Sequence, residues 1–235
     1  MILKDKTIMI TGASDGLGRE ISLRLAKENT NLVLVGRDEK RLESAAFESE
    51  KLGAKKVMTY ICDICDNKSL EEVISNIITD FENIDVLIND AGIWQKLMKA
   101  EEISKEVIDE VIGTNLIALI NITRLLIPIL KKNKESAIIN IVSKSGIIAQ
   151  EGQSVYTASK YGVRGFTEVL QLELKGTGVR VAGLYQGGVD TKMFEKAGED
   201  FKTNEFTNPK DLADVVAYML GQPEKIWLYD VRVDR

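Results

Sequence analysis

Histidine is absent from the 235-residue sequence. Its absence excludes every catalytic triad that uses imidazole as the base, and it removes the commonest metal ligand. Proline occurs only three times, and no stretch rich in proline, glycine or serine marks a linker between domains. We therefore predict one domain over residues 1–235, with an acid or base other than histidine and without a metal.

Cysteine is nearly as scarce, since only Cys62 and Cys65 are present. Their CxxC spacing is compatible with a redox pair or with half of a zinc site. Four-ligand zinc is not expected without a second pair or a histidine, and the two residues follow a predicted strand instead of opening a helix. We interpret them as two reduced, semi-buried thiols.

Basic residues do not dominate, because the net charge is -5 and the isoelectric point is about 5.1. This balance argues against partners such as nucleic acid or an anionic membrane. The most apolar segment, Leu116–Leu130, is shorter than a membrane span and contains Asn121, Arg124 and Pro128, so we predict a buried helix. The amino terminus does not resemble a signal peptide, and we expect a cytoplasmic protein.

Apolar strand-like runs alternate with amphipathic helix-like stretches along the whole chain. We predict strands at 7–11, 31–36, 56–60, 84–89, 137–142, 179–185 and 226–229, and helices at 16–28, 38–52, 69–82, 104–132, 154–175 and 209–221. Short Val/Ile/Leu-rich strands joined by helices predict an α/β fold: a doubly wound parallel sheet with helices on both faces. The longest irregular stretch, about 191–208, is interpreted as a substrate lid, with a solvated surface loop as the alternative.

Three glycines, Gly12, Gly16 and Gly18, directly follow the first predicted strand and open a helix. This context favours a tight turn that brings a pyrophosphate close to the backbone at the helix amino terminus. The spacing differs from the common GxGxxG fingerprint, and a sharp turn without a ligand is the alternative.

The second predicted strand ends in Gly36 and Arg37, where an NAD-specific site would have a carboxylate. A guanidinium suits a 2′-phosphate, so NADP(H) is the preferred cofactor and NAD(H) the alternative. Asp38 could pair with Arg37 or turn toward the ribose. The hydroxyl of Ser14 could contact the same phosphate or cap the local backbone.

Five motifs in register resemble those of the short-chain dehydrogenase/reductase family: TGASDGLG at 11–18, NDAG at 89–92, Asn115, Ser143, and Tyr156 with Lys160. The resemblance extends over essentially the whole chain. It implies a three-layer Rossmann-type fold with about seven strands, an oxidoreductase that acts on a small carbonyl or alcohol substrate, and a homodimer or homotetramer formed through the helices that contain Asn115 and Tyr156.

The resemblance also assigns site residues. Catalytic roles fall on Asn115, Ser143, Tyr156 and Lys160. Cofactor contacts fall on Gly12, Ser14, Gly16, Leu17, Gly18, Arg37, Asp63, Ile64, Asn89, Ala91, Gly92, Tyr156, Lys160, Gly187, Val189 and Thr191, with Asp63 near the adenine and Thr191 near the carboxamide. Two positions depart from the family pattern: Asp90 replaces the second asparagine of NNAG, and Gln186 replaces the usual proline before glycine, which is expected to loosen the loop that follows.

Tyr156 and Lys160 are four residues apart, so on a helix they share one face. A free phenol has a pKa of about 10, and we expect the ammonium and an oxidised nicotinamide to lower it. In the reducing direction Tyr156 would then donate a proton to the substrate oxygen, while Ser143 orients that oxygen. By resemblance, Lys160 also holds the nicotinamide ribose and Asn115 helps to hold a water.

Several alternatives stay open at this point. Tyr156 and Lys160 could be an incidental pair, Ser143 could be a capping hydroxyl, and Ser145 is a weaker candidate for its role. Trp94 is interpreted as a pocket wall or as a plain surface aromatic. The function could instead be that of a dinucleotide-binding redox regulator without turnover, or of an epimerase or dehydratase on the same scaffold.

Overall fold

The computed structural model describes residues 1–223 and 225–234. The strands are β1 Thr7–Thr11, β2 Asn31–Gly36, β3 Lys56–Ile61, β4 Val86–Asn89, β5 Ser136–Ile141, β6 Val179–Gln186 and β7 Asp230–Val233. The helices are α1 Gly16–Ala26, α2 Glu39–Lys51, α3 Asn67–Phe81, α4 Lys105–Ile112, α5 Ala118–Leu130, α6 Ser154–Glu173, α7 Met193–Lys196 and α8 Pro209–Leu220.

The seven strands form one sheet in the order β3-β2-β1-β4-β5-β6-β7, and all neighbouring pairs are parallel. Buried side chains of α1, α2 and α8 pack on one face of the sheet, and those of α3, α5 and α6 pack on the other. The predicted doubly wound fold is therefore confirmed. From β1 the successive strands are added toward one edge of the sheet as far as β3, and from β4 onward toward the other edge. Ligands bind outside the carboxyl ends of the strands at such a switch point, which here lies between β1 and β4.

The long apolar helix is interrupted where a single helix was predicted. Five residues in π-helical conformation, Gly113–Ile117, separate α4 from α5. By length and composition Lys105–Leu130 could cross a membrane, a test that core helices of soluble proteins also pass. Here Ile122 and Leu126 of α5 pack in the same buried cluster as Leu87 of β4. The π segment brings Asn115 to the site, where such irregularities are frequent.

The last strand was predicted wrongly at 226–229. It is β7, Asp230–Val233, that pairs with Gly183–Gln186 of β6. The apolar residues before it serve a different purpose: the indole N–H of Trp227 donates to the carbonyl of Val181 at 2.9 Å, and the guanidinium of Arg180 lies 4.5 Å from the indole centroid. The run packs at the sheet edge, and its last residue, Tyr229, accepts from the N–H of Gly183 at 2.8 Å directly before the paired strand begins.

The segment 191–208 is less irregular than its sequence suggests, because it contains α7 and a 3₁₀ turn at Thr203–Glu205. Its two ends are fastened together: Val189 and Thr207 form a parallel bridge, and the N–H of Asp190 donates to the carbonyl of Thr207 at 2.9 Å. The segment is thus a closed loop that projects from the carboxyl end of β6.

Candidate active site

The carboxyl ends of the strands border a cavity of about 1280 Å³. Small-molecule sites usually measure about 300–1,000 Å³, so this volume is large enough for a dinucleotide and a small substrate together. The glycine turn between β1 and α1 forms part of its wall. Gly12 has a φ of +73°, and a Cβ atom there would lie 2.9 Å from the Cα of Ala91. Only glycine fits this position, so the backbone of the turn is open to a ligand, as the approach of a pyrophosphate requires.

Most of the predicted site residues border this cavity. They are Gly12, Ser14, Gly16, Leu17, Arg37, Asp63, Ile64, Ala91, Gly92, Ser143, Tyr156, Lys160, Gly187, Val189 and Thr191. Gly18, Asn89 and Asn115 are not among the residues that line it. Residues that follow six of the strands, β1 to β6, therefore meet in one cleft, as the parallel order of the sheet demands.

Gly18, Asn89 and Asn115 do not line the cavity, but each contacts or packs against residues that position its wall. A Cβ atom on Gly18 would lie 2.6 Å from the carbonyl oxygen of Gly12, so this glycine permits α1 to pack against β1. The side chain of Asn89, at the end of β4, donates to Asn140 of β5 at 2.8 Å and to Thr123 of α5 at 3.0 Å, and all three residues are buried. Asn115 binds both backbone groups of Ile93, accepting from its N–H at 2.8 Å and donating to its carbonyl at 2.9 Å.

At the tip of β2, an exposed Arg37 borders the cavity. Asp38 does not pair with it. Instead, its carboxylate caps α2 by accepting from the N–H of Arg41 at 3.1 Å, and it forms an ion pair with the Arg41 guanidinium at 3.3 Å. Ser14 Oγ lies beside Gly36, since a Cβ atom added there would be 3.2 Å from it. Two guanidinium groups and one hydroxyl therefore surround the end of β2.

Sequence reasoning missed Asp15, which sits within the glycine turn. Its carboxylate caps α1 through the N–H of Gly16 at 2.8 Å and forms ion pairs with Arg41 at 3.0 Å and with Lys196 of α7 at 2.9 Å. Burial alone would raise the pKa of Asp15, but the hydrogen bonds from Lys196 and Gly16 outweigh it and the pKa is lowered. The positive charges of Arg41 and Lys196 thus balance that of the Asp15 carboxylate, so its presence in the turn is compatible with a bound phosphate.

Tyr156, Ser143 and Lys160 meet at the other end of the cleft. The side chain of Ser143 interacts with the phenol of Tyr156 and lowers its pKa. Lys160 Nζ lies 5.7 Å from the centroid of the Tyr156 ring and donates to the carbonyl of Ile141 at 3.1 Å. Ser145 has a supporting position, because its N–H donates to Ser143 Oγ at 3.2 Å and its hydroxyl donates to Gln153 at 2.9 Å.

The expected acidification of Tyr156 is absent from the cofactor-free protein. Burial raises its pKa to about 12, and the negative charge of Asp90 adds to this, whereas the hydrogen bond with Ser143 lowers it. Burial also lowers the pKa of Lys160, to about 8, while the charge of Asp90 raises it. Removal of water disfavours the charged form of both groups. The phenol is consequently protonated at neutral pH.

Asp90, the departure from the NNAG pattern, is an ionisable group in the cleft wall. Burial raises the pKa of its carboxyl to about 7, while the charge of Lys160 and a hydrogen bond from the backbone of Gly18 lower it. Its charge in turn raises the pKa values of Lys160 and Tyr156. Proton occupancy at Asp90 is therefore coupled to that of both groups.

The backbone of Ser143 is strained. Its φ of +103° and ψ of 151° fall in a region that is populated almost only by glycine. Residues held in such conformations cluster at functional sites, where the surrounding structure enforces them. The conformation directs the hydroxyl of Ser143 to Tyr156 on one side and to the N–H of Ser145 on the other.

An aromatic cluster covers the Tyr156 end of the cleft. The Trp94 ring centroid lies 4.5 Å from that of Tyr156 and 4.9 Å from that of Phe194, which contacts Phe201 and Phe206 at 5.2 and 5.5 Å. Trp94 is thus a wall of the cavity and links it to segment 191–208. Sequence reasoning missed the three phenylalanines because they follow no helical or strand period.

Gln186, the other departure from the family pattern, lies within the sheet. It is the last residue of β6 and is buried, and Gly187 continues the hydrogen bonding by donating to the carbonyl of Val233 at 3.0 Å. Its Oε1 atom is buried without a hydrogen-bond partner among the described residues. Since a buried unpaired carbonyl costs roughly 1–3 kcal/mol, an unpaired acceptor on the cavity wall suits a bound polar group.

The two cysteines have different surroundings. Both are free thiols; Cys62 is buried beside Ser69, and Cys65 is exposed beside Thr114. Burial raises the pKa of Cys62. Within residues 1–223 and 225–234 no group of three or more His, Cys, Asp or Glu side chains is arranged to hold a metal ion.

A parallel, doubly wound sheet with a glycine turn at its switch point and an open cleft above it defines a Rossmann-type dinucleotide-binding protein. A family model for short chain dehydrogenases matches residues 6–202. The chain belongs to the short-chain dehydrogenase/reductase family and is an NAD(P)-dependent oxidoreductase that acts on CH–OH or C=O groups.

Individual relatives agree with this membership. A 3-oxoacyl-(acyl-carrier-protein) reductase of Thermotoga maritima is 31% identical over 227 residues, covering 93% of this chain and 92% of the relative. An NADP-dependent 3-hydroxy acid dehydrogenase of Schizosaccharomyces pombe is 31% identical over 98% of this chain and 93% of its own length. The structure is similar to that of an alcohol dehydrogenase from Thermococcus sibiricus complexed with 5-hydroxy-NADP, with a TM-score of 0.89, 26% identity, and coverage of 97% of this chain and 96% of that one.

Proposed function

We propose that the protein is an NADP(H)-dependent carbonyl reductase in which Tyr156 is the proton donor. The observation that carries this proposal is the arrangement of Tyr156, Ser143 and Lys160 at one end of the dinucleotide-sized cleft. When bound, the reduced dinucleotide supplies a hydride to the carbonyl carbon of the substrate. The C=O π electrons then move to oxygen, and the chain's own residues manage the resulting charge and proton.

Ser143 is proposed to hold the carbonyl oxygen through its hydroxyl, which stabilises the developing negative charge. Tyr156 donates its proton to that oxygen as the C–H bond forms, so the product is an alcohol. The ammonium of Lys160 stabilises the phenolate that remains, and it is the candidate group for the nicotinamide ribose. Asn115 supports the reaction indirectly by fixing Ile93, and a water beside it is the proposed route for returning a proton.

The reducing direction fits the raised pKa of about 12 for Tyr156 in the cofactor-free protein. A protonated phenol is the form that an acid needs, and it is present throughout the neutral range. In the oxidising direction the same phenol must first lose its proton, for which the positive charge of an oxidised nicotinamide would have to lower the pKa. We therefore propose that reduction is efficient at neutral pH and that oxidation requires alkaline pH.

NADP(H) is proposed as the preferred cofactor because Arg37 and Arg41 lie where the adenosine 2′-phosphate would bind. Asp38 is engaged by the α2 cap and by Arg41, which leaves it poorly placed to bind a ribose hydroxyl. The relative named as NADP-dependent and the similar structure complexed with 5-hydroxy-NADP support this preference. NAD(H) is the alternative, and measuring the affinities of both dinucleotides would decide between them.

The segment 191–208 is proposed to be the substrate lid, since its Phe194 contacts Trp94 beside Tyr156 and is itself contacted by Phe201 and Phe206. We also propose a homodimer or homotetramer in the cytoplasm. Exposed apolar side chains on the α4–α5 and α6 helices, Ile117, Val169 and Leu172, are suited to subunit contact. Light scattering on the purified protein would test the oligomeric state.

The decisive variant is Tyr156→Phe, which keeps the ring contact with Trp94 and removes only the hydroxyl. We expect NADPH to bind with unchanged affinity by fluorescence titration, while reduction of ketones and aldehydes falls by at least 100-fold. Unchanged turnover would overturn the proposed role of Tyr156. A wild-type protein that binds NADPH tightly yet turns over no ketone, aldehyde or alcohol would identify a redox regulator, and cofactor retention with no net consumption would identify an epimerase or dehydratase.

A further inference from the structure

The helix that carries Tyr156 lacks a cap of its own. α6 begins at Ser154, and the side chain of the preceding Gln153 makes no capping hydrogen bond. It is committed elsewhere, accepting from Ser145 at 2.9 Å and donating to Gln150 at 2.6 Å. The first N–H groups of a helix have no partner within the helix, and a buried helix end must find one.

Gln95 supplies that partner from the loop after β4. Its Oε1 atom accepts from the N–H of Val155 at 3.0 Å and from the N–H of Tyr156 at 2.9 Å. Its Nε2 atom donates to the carbonyl of Gly152 at 3.1 Å, so both ends of the amide are used. The side chain is fully buried, and its bonds to α6 span 60 and 61 residues of sequence.

One loop therefore holds Tyr156 in two ways. Gln95 binds its backbone N–H, and the adjacent Trp94 packs against its ring at 4.5 Å. The same loop is anchored at Ile93 by the side chain of Asn115. A short chain of contacts thus connects Asn115 to the backbone of Tyr156 through residues 93–95.

We propose that Gln95 is a positioning residue for the reaction: it fixes the backbone of Tyr156 against the loop after β4, so that the phenol stays within reach of the oxygen that Ser143 binds. The inference rests on the proposed function, which assigns the proton transfer to Tyr156. Misplacing a catalytic group by about 1 Å can cost about 100-fold in rate, so two lost hydrogen bonds at this backbone are enough to affect turnover. Gln95 itself need not touch the substrate.

Two variants at this position separate positioning from general stability. Gln95→Leu keeps the approximate volume and removes all three hydrogen bonds. Gln95→Glu keeps an oxygen for the N–H groups of Val155 and Tyr156, adds a charge that is favourable at a helix amino terminus, and loses the donor to Gly152. The matched control is Ser136→Ala, which removes a buried hydrogen bond to the carbonyl of Leu130 at the amino-terminal end of β5, the end away from the cleft.

The measurements are kcat and KM for reduction of ethyl acetoacetate, NADPH affinity by fluorescence, and hydrogen exchange of peptides that contain Val155 and Tyr156. We expect Gln95→Leu to speed exchange at these amides and to lower kcat at least tenfold, with NADPH affinity within twofold of wild type. Gln95→Glu should recover most of kcat, and Ser136→Ala should leave it unchanged. Faster exchange in Gln95→Leu with kcat within twofold of wild type would overturn the inference, as would unchanged exchange.

The proposed function fails by a different result. If Tyr156→Phe keeps wild-type turnover, Tyr156 is not the acid, yet the exchange data for Gln95→Leu still report whether the cap exists. If Tyr156→Phe is inactive and Gln95→Leu is fully active, the function stands and the positioning role of Gln95 is overturned.

Discussion

Lys196 of α7 forms an ion pair with Asp15 of the glycine turn, with 2.9 Å between Nζ and Oδ2. The pair joins the segment 191–208 to the part of the cleft where a pyrophosphate would bind. A second contact fastens the same segment, since Glu199 accepts from the N–H of Leu97 at 2.5 Å. In the proposed lid, these contacts hold the closed position.

The first prediction concerns this pair. Lys196→Gln should accelerate NADPH release about two- to fivefold, because partly exposed ion pairs contribute roughly 0.2–1 kcal/mol. Stopped-flow fluorescence of NADPH displacement would measure the rate. Lys202→Gln, a change at an exposed lysine of the same segment, serves as the control and should leave release unchanged. Equal rates in wild type and Lys196→Gln would remove the pair from any role in lid closure.

The second prediction concerns Arg37, which borders the cavity at the tip of β2. Arg37→Asp should weaken NADPH binding by about 10- to 100-fold and leave NADH binding equal or stronger, because a charge-assisted hydrogen bond contributes roughly 1.5–3 kcal/mol. Calorimetric titration with both dinucleotides would measure the ratio. Arg124→Gln, at an exposed position on α5, is the control. If the NADPH affinity of Arg37→Asp matches that of wild type, Arg37 does not read the 2′-phosphate.

The fold and the site motifs can be predicted from the sequence because both depend on local or periodic patterns of residues. β1 to β6 are runs of apolar residues at the expected places, and Gly12, Tyr156 and Lys160 stand in short motifs whose spacing has a mechanical reason. The segment 226–229 shows the limit of that reasoning. Its apolar residues satisfy the pattern of a strand, but Trp227 packs at the sheet edge and the paired strand begins three residues later, at Asp230.

The contacts that sequence reasoning missed join residues that are far apart along the chain. The ion pair between Asp15 and Lys196 spans 181 residues, and the bond between Gln95 and Tyr156 spans 61. No periodicity encodes such pairs, since each depends on which strand ends become neighbours in the sheet. The raised pKa of Tyr156 in the cofactor-free protein has a related cause: it results from burial, which depends on tertiary packing and is not visible in a local motif.

The third prediction isolates the strain at Ser143. Ser143→Ala and Ser143→Gly both remove the hydroxyl, so both should lower kcat by about 100-fold or more, as the loss of a donor to a developing oxyanion does. They should differ in stability. With φ at +103°, alanine keeps the strain of roughly 1–3 kcal/mol, whereas glycine releases it. Urea unfolding should show the glycine variant to be the more stable, and equal stabilities would mean that the backbone relaxes without cost.

The fourth prediction uses the buried carboxyl of Asp90, whose pKa is raised from an unfolded value near 3.8 to about 7. Between these values the folded protein binds a proton that the unfolded chain has lost. The contribution of Asp90 to the free energy of unfolding is therefore complete at low pH and is lost as the pH rises through about 7, by on the order of 1.4 kcal/mol per unit at most. Lys160 acts at higher pH. Its pKa is lowered from 10.5 to about 8, so the cost of burying its charge lowers the free energy of unfolding below pH 8 and is relieved as the pH rises above 8.

Asp90→Asn keeps an oxygen for the backbone of Gly18 and removes the titration. In the cofactor-free protein, the free energy of unfolding of Asp90→Asn minus that of wild type should therefore increase from pH 4.5 to pH 7 and level off above it. Urea titrations at pH 4.5, 6, 7 and 8 would measure the difference. Asp109→Asn, at an exposed position of α4, should show no such increase. Because the Asp90 charge also raises the pKa of Tyr156, the pH at which alcohol oxidation reaches half its maximum should move to lower pH in Asp90→Asn. A difference in unfolding free energy that stays flat across this range would mean that Asp90 is ionised in the folded protein well below pH 7, and that the cleft tolerates its charge.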